Sequence, residues 1–214
     1  MKPAIEARGL TQRFGRQLVL LDIDLQVAAG ERVALLGDNG AGKTTLLRLL
    51  ATVARPAAGE LRLLGLDAVR QRSALRSRLG WLAHEPGLYP ALSARENLEF
   101  FCTLHGLPRG RAVECLEQLG LTDDALRPAA ELSRGRRQRL ALARTLLHDP
   151  ELWLLDEPDS SLDAAGRDLL GRLVSGRTLV FATHDRGLAD ELDARVVELR
   201  AGRVLDRGAL QVVR

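Results

Sequence analysis

The sequence contains few of the residues that characterise several large classes of protein. Only two of its 214 residues are cysteine, Cys102 and Cys115, which excludes a disulfide framework and a cysteine-based zinc site. Aromatic residues make up 3% of the chain, too few for a platform on which single-stranded nucleic acid would stack. No apolar run approaches the roughly 18 residues of a membrane span, and residues 1–10 lack the apolar core of a signal peptide. These absences predict a cytoplasmic protein without membrane spans.

The charges are nearly balanced, with 31 basic and 28 acidic side chains and a net charge of +3. Because the two signs alternate along the chain rather than forming blocks, the pattern indicates a mixed surface and no nucleic-acid partner. Lysine is almost absent: Lys2 and Lys43 are the only two, and the other basic residues are arginine. A length of 214 residues allows one large domain or two small ones, and a hydrophobic content of 46% is enough for a sizeable core.

Strand and helix patterns alternate at both ends of the chain and enclose a helical middle. We predict strands over residues 5–10, 18–27, 32–36, 60–64, 152–156, 177–183, 195–199 and 203–206, and helices over residues 44–54, 93–105, 110–119, 133–148 and 163–174. No strand is predicted between residues 86 and 150. This order predicts an α/β fold with a mixed, mostly parallel sheet and ligands at the carboxyl ends of its strands.

A glycine-rich loop separates the third predicted strand from the helix that follows it. The loop reads Gly37, Asp38, Asn39, Gly40, Ala41, Gly42, Lys43 and Thr44. It matches the phosphate-binding loop pattern in full. The glycines in this pattern let backbone N–H groups approach a phosphate at a helix N-terminus. We expect Lys43 to reach the β- and γ-phosphates of ATP and the Thr44 hydroxyl to hold Mg²⁺.

Two carboxylates stand at the end of the apolar strand 152–156. We expect Asp156 to hold the shell of a magnesium ion and Glu157 to polarise a water for attack on a phosphate. Two further features are ambiguous when taken alone. Ser133 is either a simple helix cap or part of a second phosphate-binding helix end, and His184, beyond the strand 177–183, is either structural or functional.

Taken together and in this order, the motifs resemble those of ATP-binding-cassette (ABC) ATPases over essentially the whole chain. The resemblance implies a P-loop NTPase core with N-terminal antiparallel strands (residues 1–85 and 150–214) and an inserted helical subdomain (residues 86–149), all within one domain. It also implies that Phe14 stacks on adenine and that residues 37–45, ending at Thr45, form the Walker A loop.

The remaining family motifs follow the same order. Residues 132–136 resemble the family's signature motif and read Leu132, Ser133, Arg134, Gly135 and Arg136. The resemblance further implies that 152–156 is the Walker B strand, Glu157 the catalytic base, 160–163 the D-loop with Ser161 and Asp163, and His184 the switch histidine.

Three residues depart from the family pattern. The signature usually reads Leu-Ser-Gly-Gly-Gln, whereas Arg134 replaces its first glycine and Arg136 its glutamine. These arginines either strengthen contact with ATP or are solvated, which leaves the catalytic rate open. His84 occupies a position of the nucleotide site where most of the family has glutamine.

The resemblance also implies partners. In the family, the phosphate loop of one subunit faces the signature of another, so a chain with one copy of each motif needs a second ATP-binding subunit, expected to be identical. A separate integral membrane subunit is expected to dock near residues 84–106, which would place this chain at the cytoplasmic face of the cell membrane. ATP and Mg²⁺ are the implied cofactors.

Residues 84–88 and 92–100 are similar to one subfamily, the ATP-binding subunit of the haem exporter of cytochrome c biogenesis, which also carries His-x-Pro-Gly. An exporter of another substrate, such as a drug or a lipid, stays open. A soluble ABC-type ATPase acting on DNA or ribosomes is less favoured, because the segment between residues 42 and 133 has no room for a coiled coil. A nucleotide kinase does not explain residues 132–136.

Overall fold

The computed structural model describes residues 2–205, which fold around two sheets. The strands are β1 (Pro3–Phe14), β2 (Gln17–Ala28), β3 (Arg32–Leu36), β4 (Ala58–Leu63), β5 (Leu66–Asp67), β6 (Leu79–Leu82), β7 (Leu152–Asp156), β8 (Thr178–Ala182), β9 (Arg195–Arg200) and β10 (Arg203–Val204). The helices are α1 (Lys43–Leu50), α2 (Arg72–Arg76), α3 (Ala94–His105), α4 (Gly110–Gln118), α5 (Arg134–Leu146), α6 (Ala164–Val174) and α7 (Arg186–Glu191).

The six-stranded sheet has the order β10-β9-β3-β8-β7-β6, and its neighbouring strands are parallel except for β10 and β9. The four-stranded sheet has the order β2-β1-β4-β5 and is antiparallel. The predicted α/β fold with a mixed, mostly parallel sheet and N-terminal antiparallel strands is therefore confirmed.

Strands β7 and β8 are buried along their whole length because both faces of the parallel sheet are covered. Leu152 and Leu154 face a core shared with α1 and the antiparallel sheet. Trp153 and Leu155 face a second core shared with helices α3 to α7. Burial on both faces explains why this segment is a continuous apolar run instead of an alternating pattern.

Helix α1 ends at Leu50, so the predicted extension to residue 54 is wrong. The chain leaves the helix at Thr52, which has a left-handed φ of 56°, and the N–H groups of Val53 and Ala54 both turn back to the carbonyl of Arg48. This closure normally uses glycine, and a threonine in its place gives no stop signal in the sequence. Pro56 lies beyond the true end.

The segment between β6 and β7 contains α3, α4 and α5, as predicted, and the described residues place no strand of either sheet in it. The predicted capping box is present, since Ser93 and Glu96 each accept a hydrogen bond from the other's backbone N–H. Both cysteines are buried here, and burial raises the pKa of the Cys115 thiol to about 11. They are core residues of low reactivity. The division at residues 86 and 149 stays a prediction.

Four short elements were not predicted from the sequence: β5, β6, α2 and α7. β6 contains Gly80, where a side chain would lie 2.6 Å from the Pro150 ring, so a residue untypical of strands is required there by packing. The predicted terminal hairpin is present as β9 and β10, but its last residue, Asp206, lies outside the described residues.

No helix among residues 2–205 combines the length and the apolar character needed to cross a bilayer. The longest of the described helices, α5, has 13 residues and carries several arginines. Its length is well below the roughly 20 residues that span the hydrocarbon core of a membrane.

Leu154→Ala should lower the free energy of unfolding by about 2–5 kcal/mol, because it opens a cavity beside α1 in a fully buried strand. The matched control is Leu126→Ala, whose leucine is 80% exposed and whose loss should change stability by about 0.5 kcal/mol or less. Guanidinium unfolding curves measure both. Equal effects of the two substitutions would contradict the assignment of β7 to the core.

Candidate nucleotide site

The glycine-rich loop connects the carboxyl end of β3 to the N-terminus of α1, and two of its glycines are required by close approaches. Gly37 has a φ of 147° and a side chain there would overlap the carbonyl oxygen of Leu199. Gly42, with a φ of 106°, would place a Cβ 2.6 Å from Leu20 Cδ2. Only glycine can occupy these two positions, as is required of a loop whose backbone N–H groups approach a phosphate at a helix N-terminus.

A cavity of about 530 Å³ opens on this loop. Its lining contains predicted site residues from four separate segments: Phe14, residues 39–45, Glu157 and His184. Phe14 is half exposed, which leaves its ring free to cover a planar group. Gly37 and Asp38 form the base of the loop and are not among the lining residues.

The cavity also has a wall that was not predicted, formed by the start of β2 and by the turn between β9 and β10. Gln17, Val19 and Gly202 belong to it. The Gly202 N–H donates to the Ala41 carbonyl at 3.2 Å, and a side chain at Gly202 would overlap the Val19 carbonyl. These contacts are made by backbone groups of distant segments, for which the sequence carries no signal beyond the glycine itself.

Lys43 is buried, and its amine is held by the loop. Lys43 Nζ donates to the Gly37 carbonyl at 2.6 Å and to the Asp38 carbonyl at 3.1 Å. Burial lowers the pKa of Lys43, while the nearby carboxylates of Glu157, Asp156 and Asp38 act to raise it. An anion bound at the loop would offset the cost of this burial further, because it would add negative charge beside the amine.

Asp156, the last residue of β7, is buried, and one oxygen of its carboxyl group lacks a hydrogen-bond partner among the described residues. Its Oδ2 is buried and has no hydrogen-bond partner among the described residues. Burial raises the pKa of Asp156, a hydrogen bond from Thr44 opposes this rise, and the charge of Glu157 adds to it. A cation beside the unpartnered oxygen would offset the cost of burying the Asp156 carboxylate. The oxygen atoms of Asp156 and Thr44 are ligands that suit a hard divalent ion.

Glu157 follows with a left-handed φ of 51°, which turns its carboxylate out of the strand direction. Each of its two oxygens meets a histidine: Oε1 lies 3.2 Å from His184 Nε2, and Oε2 lies 3.3 Å from His84 Nδ1. The structure thus brings together three predicted site residues that come from three different strand ends.

Gln138 is a further polar residue at this turn that the sequence analysis did not select. It is buried on α5, and its Nε2 donates to the Pro158 carbonyl at 3.1 Å and more weakly to the Glu157 carbonyl at 3.4 Å. It therefore ties α5 to the strained turn that carries Glu157. A glutamine on the buried face of an otherwise arginine-rich and apolar helix is the signal that could have identified it.

Three of the predicted signature residues, Ser133, Gly135 and Arg136, line a second cavity of about 450 Å³ that is separate from the first, together with Ser161 and Asp163 of the predicted D-loop. Leu132 and Arg134 are not among its lining residues. Ser133 caps α5 by accepting from the Arg136 N–H at 3.3 Å. A side chain at Gly135 would lie 2.8 Å from the Ser161 carbonyl, so a glycine is needed where the helix meets the loop after β7. Asp163 caps α6 and also pairs with Arg139 at 3.0 Å, which fixes that loop against α5.

The two arginines of the signature differ in their surroundings. Arg136 Nη1 donates to Asp124 Oδ1 at 2.7 Å, and Asp124 is almost fully buried and also bound by Arg127. Arg134 is exposed and forms no ion pair within the described part of the chain. Arg136 is therefore held by an ion pair with Asp124 although its own side chain is half exposed, whereas Leu132 is buried in the core.

Comparisons with known proteins all point to the same family. A family model described as ABC transporter matches residues 20–160. The daunorubicin resistance ATP-binding protein of Streptomyces coeruleorubidus is 42% identical over 214 aligned residues, covering 96% of this chain and 68% of that protein. The cytochrome c biogenesis ATP-binding export protein of Bradyrhizobium diazoefficiens is 42% identical over 202 residues, covering 92% of this chain and 96% of that protein.

Solved structures agree with these matches. A dimeric ATP-binding cassette in a post-hydrolysis state, bound to ADP and Pi, has a TM-score of 0.86 at 28% identity, covering 94% of this chain and 97% of that one. A dimeric bacterial ABC transporter cassette has a TM-score of 0.83 at 29% identity, with the same coverage. This chain belongs to the ABC transporter family as an ATP-binding subunit, and it is an ATPase.

Proposed function

We propose that two copies of this chain close two Mg·ATP molecules between them and drive a separate integral membrane subunit. The observation that carries this proposal is the separation of the two cavities. One holds the phosphate loop and Glu157, and the other holds Ser133 and Gly135. Each cavity is half a site, so a second copy is needed to bring one against the other.

In the first half-site, residues 37–45 cradle the phosphates with backbone N–H groups, and Lys43 gives up its carbonyl contacts to reach the β- and γ-phosphates. Asp38, Asn39 and Ala41 contribute through the backbone of the loop. Phe14 stacks on adenine from the open side of the cavity. In the closed dimer the second copy adds Ser133 and Gly135 at the γ-phosphate, with its Ser161 and Asp163 at the junction.

Thr44 and Asp156 are the residues that would hold Mg²⁺. Within residues 2–205 no group of three His, Cys, Asp or Glu side chains forms a metal site. This agrees with an ion that takes most of its ligands from water and from phosphate oxygens. When bound, Mg²⁺ supplies positive charge that neutralises the charge developing on the phosphates.

Glu157 acts as the general base that accepts a proton from the attacking water. Both of its oxygens are engaged, one by His184 and one by His84, so its carboxylate is held in a fixed direction at the cavity wall. A positioned base loses little entropy when it reaches the reactive geometry. Gln138 contributes by holding the carbonyls of the turn.

The membrane subunit docks near residues 84–106, which places this chain at the cytoplasmic face of the cell membrane. An exposed aromatic surface in this segment supports the proposal, because Tyr89 is 46% and Phe100 is 38% exposed. Exposed aromatic side chains in a chain with so few of them are typical of an interface.

For the cargo, we propose haem export in cytochrome c maturation. The support is the His84-Glu85-Pro86-Gly87 segment together with 42% identity to a cytochrome c biogenesis export protein. Export of a drug is the second candidate, favoured by equal identity to a daunorubicin resistance protein.

Lys43→Ala should weaken ATP binding about 10- to 100-fold, because a charge-assisted contact to phosphate contributes about 1.5–3 kcal/mol. Calorimetric titration with ATP measures the change. Lys2→Ala removes the other lysine of the chain, from an exposed position, and should bind ATP as the wild type does. Equal affinities of all three proteins would refute the role of Lys43.

Glu157→Gln should retain ATP binding and lose hydrolysis by about 100-fold or more, since the base is replaced by a neutral amide. The nucleotide would then remain trapped between two chains, and light scattering should show an ATP-dependent dimer. Adding Ser133→Arg to this variant should abolish the dimer, because bulk and charge would occupy the γ-phosphate contact of the second copy.

A stable ATP-dependent dimer of the double variant would contradict the proposed arrangement of the half-sites. Arg134→Ala in the same background is the matched control, since it removes an exposed arginine one residue away without adding bulk. That control should still dimerise.

The cargo proposal predicts that this chain restores c-type cytochromes in a Bradyrhizobium diazoefficiens strain lacking its cytochrome c biogenesis export protein, measured by haem staining of membrane proteins. The Glu157→Gln variant should fail, because export requires hydrolysis. Increased tolerance to daunorubicin without restored cytochromes would favour drug export instead.

A further inference from the structure

The loops that carry Glu157 and His184 are joined by a ring of four polar side chains. The ring consists of Asp159, Thr183, Asp185 and Arg167. Asp159 lies in the loop after β7, just beyond Glu157, and Arg167 belongs to α6. Thr183 and Asp185 follow β8 and are the two neighbours of His184 in the chain. None of the four lines the nucleotide cavity, so any influence on the site passes through other residues.

Each member of the ring contacts the next one. Thr183 Oγ1 donates to Asp159 Oδ1 at 3.3 Å and accepts from the Asp185 backbone N–H at 3.0 Å. Arg167 Nη1 donates to Asp185 Oδ2 at 2.7 Å, and its Nη2 lies 3.7 Å from Asp159 Oδ2, within the distance of an ion pair. Both carboxylate oxygens of Asp159 are therefore engaged, one from the loop after β8 and one from α6.

The ring is shielded from water and balanced in charge. Thr183 is only 1% exposed, so water does not compete for its hydroxyl. Burial is the main cause that raises the pKa of Asp159; the Arg167 charge and the Thr183 hydroxyl oppose the rise, and the Asp185 charge adds to it. The pKa of Asp185 is lowered chiefly by its hydrogen bond from Arg167. One guanidinium thus holds together two carboxylates that would otherwise repel each other.

The ring also fixes the backbone on both sides of His184. The Thr183 N–H donates to the Leu35 carbonyl at 3.2 Å, and Asp185 caps α7 by accepting from the Gly187 N–H at 2.8 Å. The His184 side chain is 44% exposed, so packing alone does not set its direction. Its Nε2 nevertheless lies 3.2 Å from Glu157 Oε1. The direction of the imidazole therefore depends on the backbone that the ring holds.

The other end of the ring holds the turn that carries Glu157. This turn contains two residues with left-handed φ that are not glycine, Glu157 at 51° and Ser161 at 70°. Such conformations cost free energy and persist only where surrounding contacts offset the cost. Asp159 lies midway between them, and its contacts with Thr183 and Arg167 are among those that hold the turn.

We propose that Asp159, Thr183 and Arg167 are positioning residues for ATP hydrolysis, which keep His184 and Glu157 at a fixed distance by tying their loops together. They act through His184 and Glu157 and do not touch the nucleotide. The inference rests on the proposed function, because it explains how the general base keeps its geometry. A small displacement of a positioned group lowers the rate of the chemical step while leaving substrate binding intact. Loss of the ring should therefore lower kcat and spare KM.

Thr183→Val removes the hydroxyl and both of its hydrogen bonds with little change in shape. It should lower kcat about 10- to 100-fold, as expected for a misplaced catalytic group, and leave KM for ATP within about twofold of the wild type. Thr183→Ser keeps the hydroxyl and should hydrolyse ATP at close to the wild-type rate. Steady-state hydrolysis of Mg·ATP by the purified full chain measures both constants.

Arg167→Gln should also lower kcat by about tenfold or more, because it leaves Asp159 and Asp185 without the cation between them. Arg172→Gln is the matched control, since it makes the same change on the same helix at an exposed arginine whose ion pair, with Asp168, lies outside the ring. This control should change kcat by about twofold or less.

NMR of the histidine rings tests the positioning without relying on activity. The chain has only four histidines, so the ring signals of His184 can be assigned by their loss in His184→Gln. These signals should shift in Thr183→Val and return to their wild-type positions in Thr183→Ser. His148, which contacts the Leu79 carbonyl, is the internal control, and its signals should stay unchanged if the variants remain folded.

The proposal would be overturned by any of three results: equal loss of kcat in Thr183→Val and Thr183→Ser, a loss confined to KM, or His184 signals that do not move in Thr183→Val. Glu157→Gln in the same assays tests the base separately. If that variant hydrolyses ATP at the wild-type rate, the role proposed for Glu157 fails, while the NMR comparison still decides whether the ring positions His184. If Glu157→Gln is inactive and Thr183→Val is fully active, only the positioning proposal fails.

Discussion

Parallel pairing of β3, β8, β7 and β6 places four strand ends at one edge of the central sheet, and the nucleotide site depends on this arrangement. The phosphate loop leaves β3, His184 follows β8, the two carboxylates end β7, and His84 follows β6. Residues separated by more than one hundred positions meet there because parallel strands all present their carboxyl ends on the same side. A shift of one residue in the pairing of β7 with β8 would turn Asp156 and its neighbours to the opposite face.

The electrostatics of the site are arranged around components that the protein does not supply. Burial lowers the pKa of Lys43 and raises that of Asp156, so each charged form is disfavoured in the protein alone. Nucleotide phosphates would stabilise the lysine, and a divalent cation would stabilise the aspartate. The two residues thus favour binding of the anion and the cation together.

Much of the fold and of the site could be predicted from local patterns, because the phosphate loop, the capping box of α3 and the apolar strands depend on neighbouring residues. Positions that depend on distant contacts could not be predicted in this way. The end of α1 at Thr52 lacks the usual glycine, and β6 has only four residues, one of which is a glycine, so neither feature gives a clear signal in the sequence. Gln138 lies inside an arginine-rich helix, and only the fold shows that it holds the turn carrying Glu157. The roles assigned to the site residues stay predictions.

Helix α5 contributes residues to three separate parts of the molecule. Its N-terminus carries Ser133 at the signature cavity, and Gln138 holds the turn of Glu157. Near its other end, Arg144 lies over the Phe101 ring of α3 and donates to the Trp81 carbonyl of β6. At 13 residues it is about 20 Å long, and an intact helix of that length moves as one body. A partner that shifts Arg144 would therefore move Ser133 and Gln138 with it, because no flexible segment lies between them.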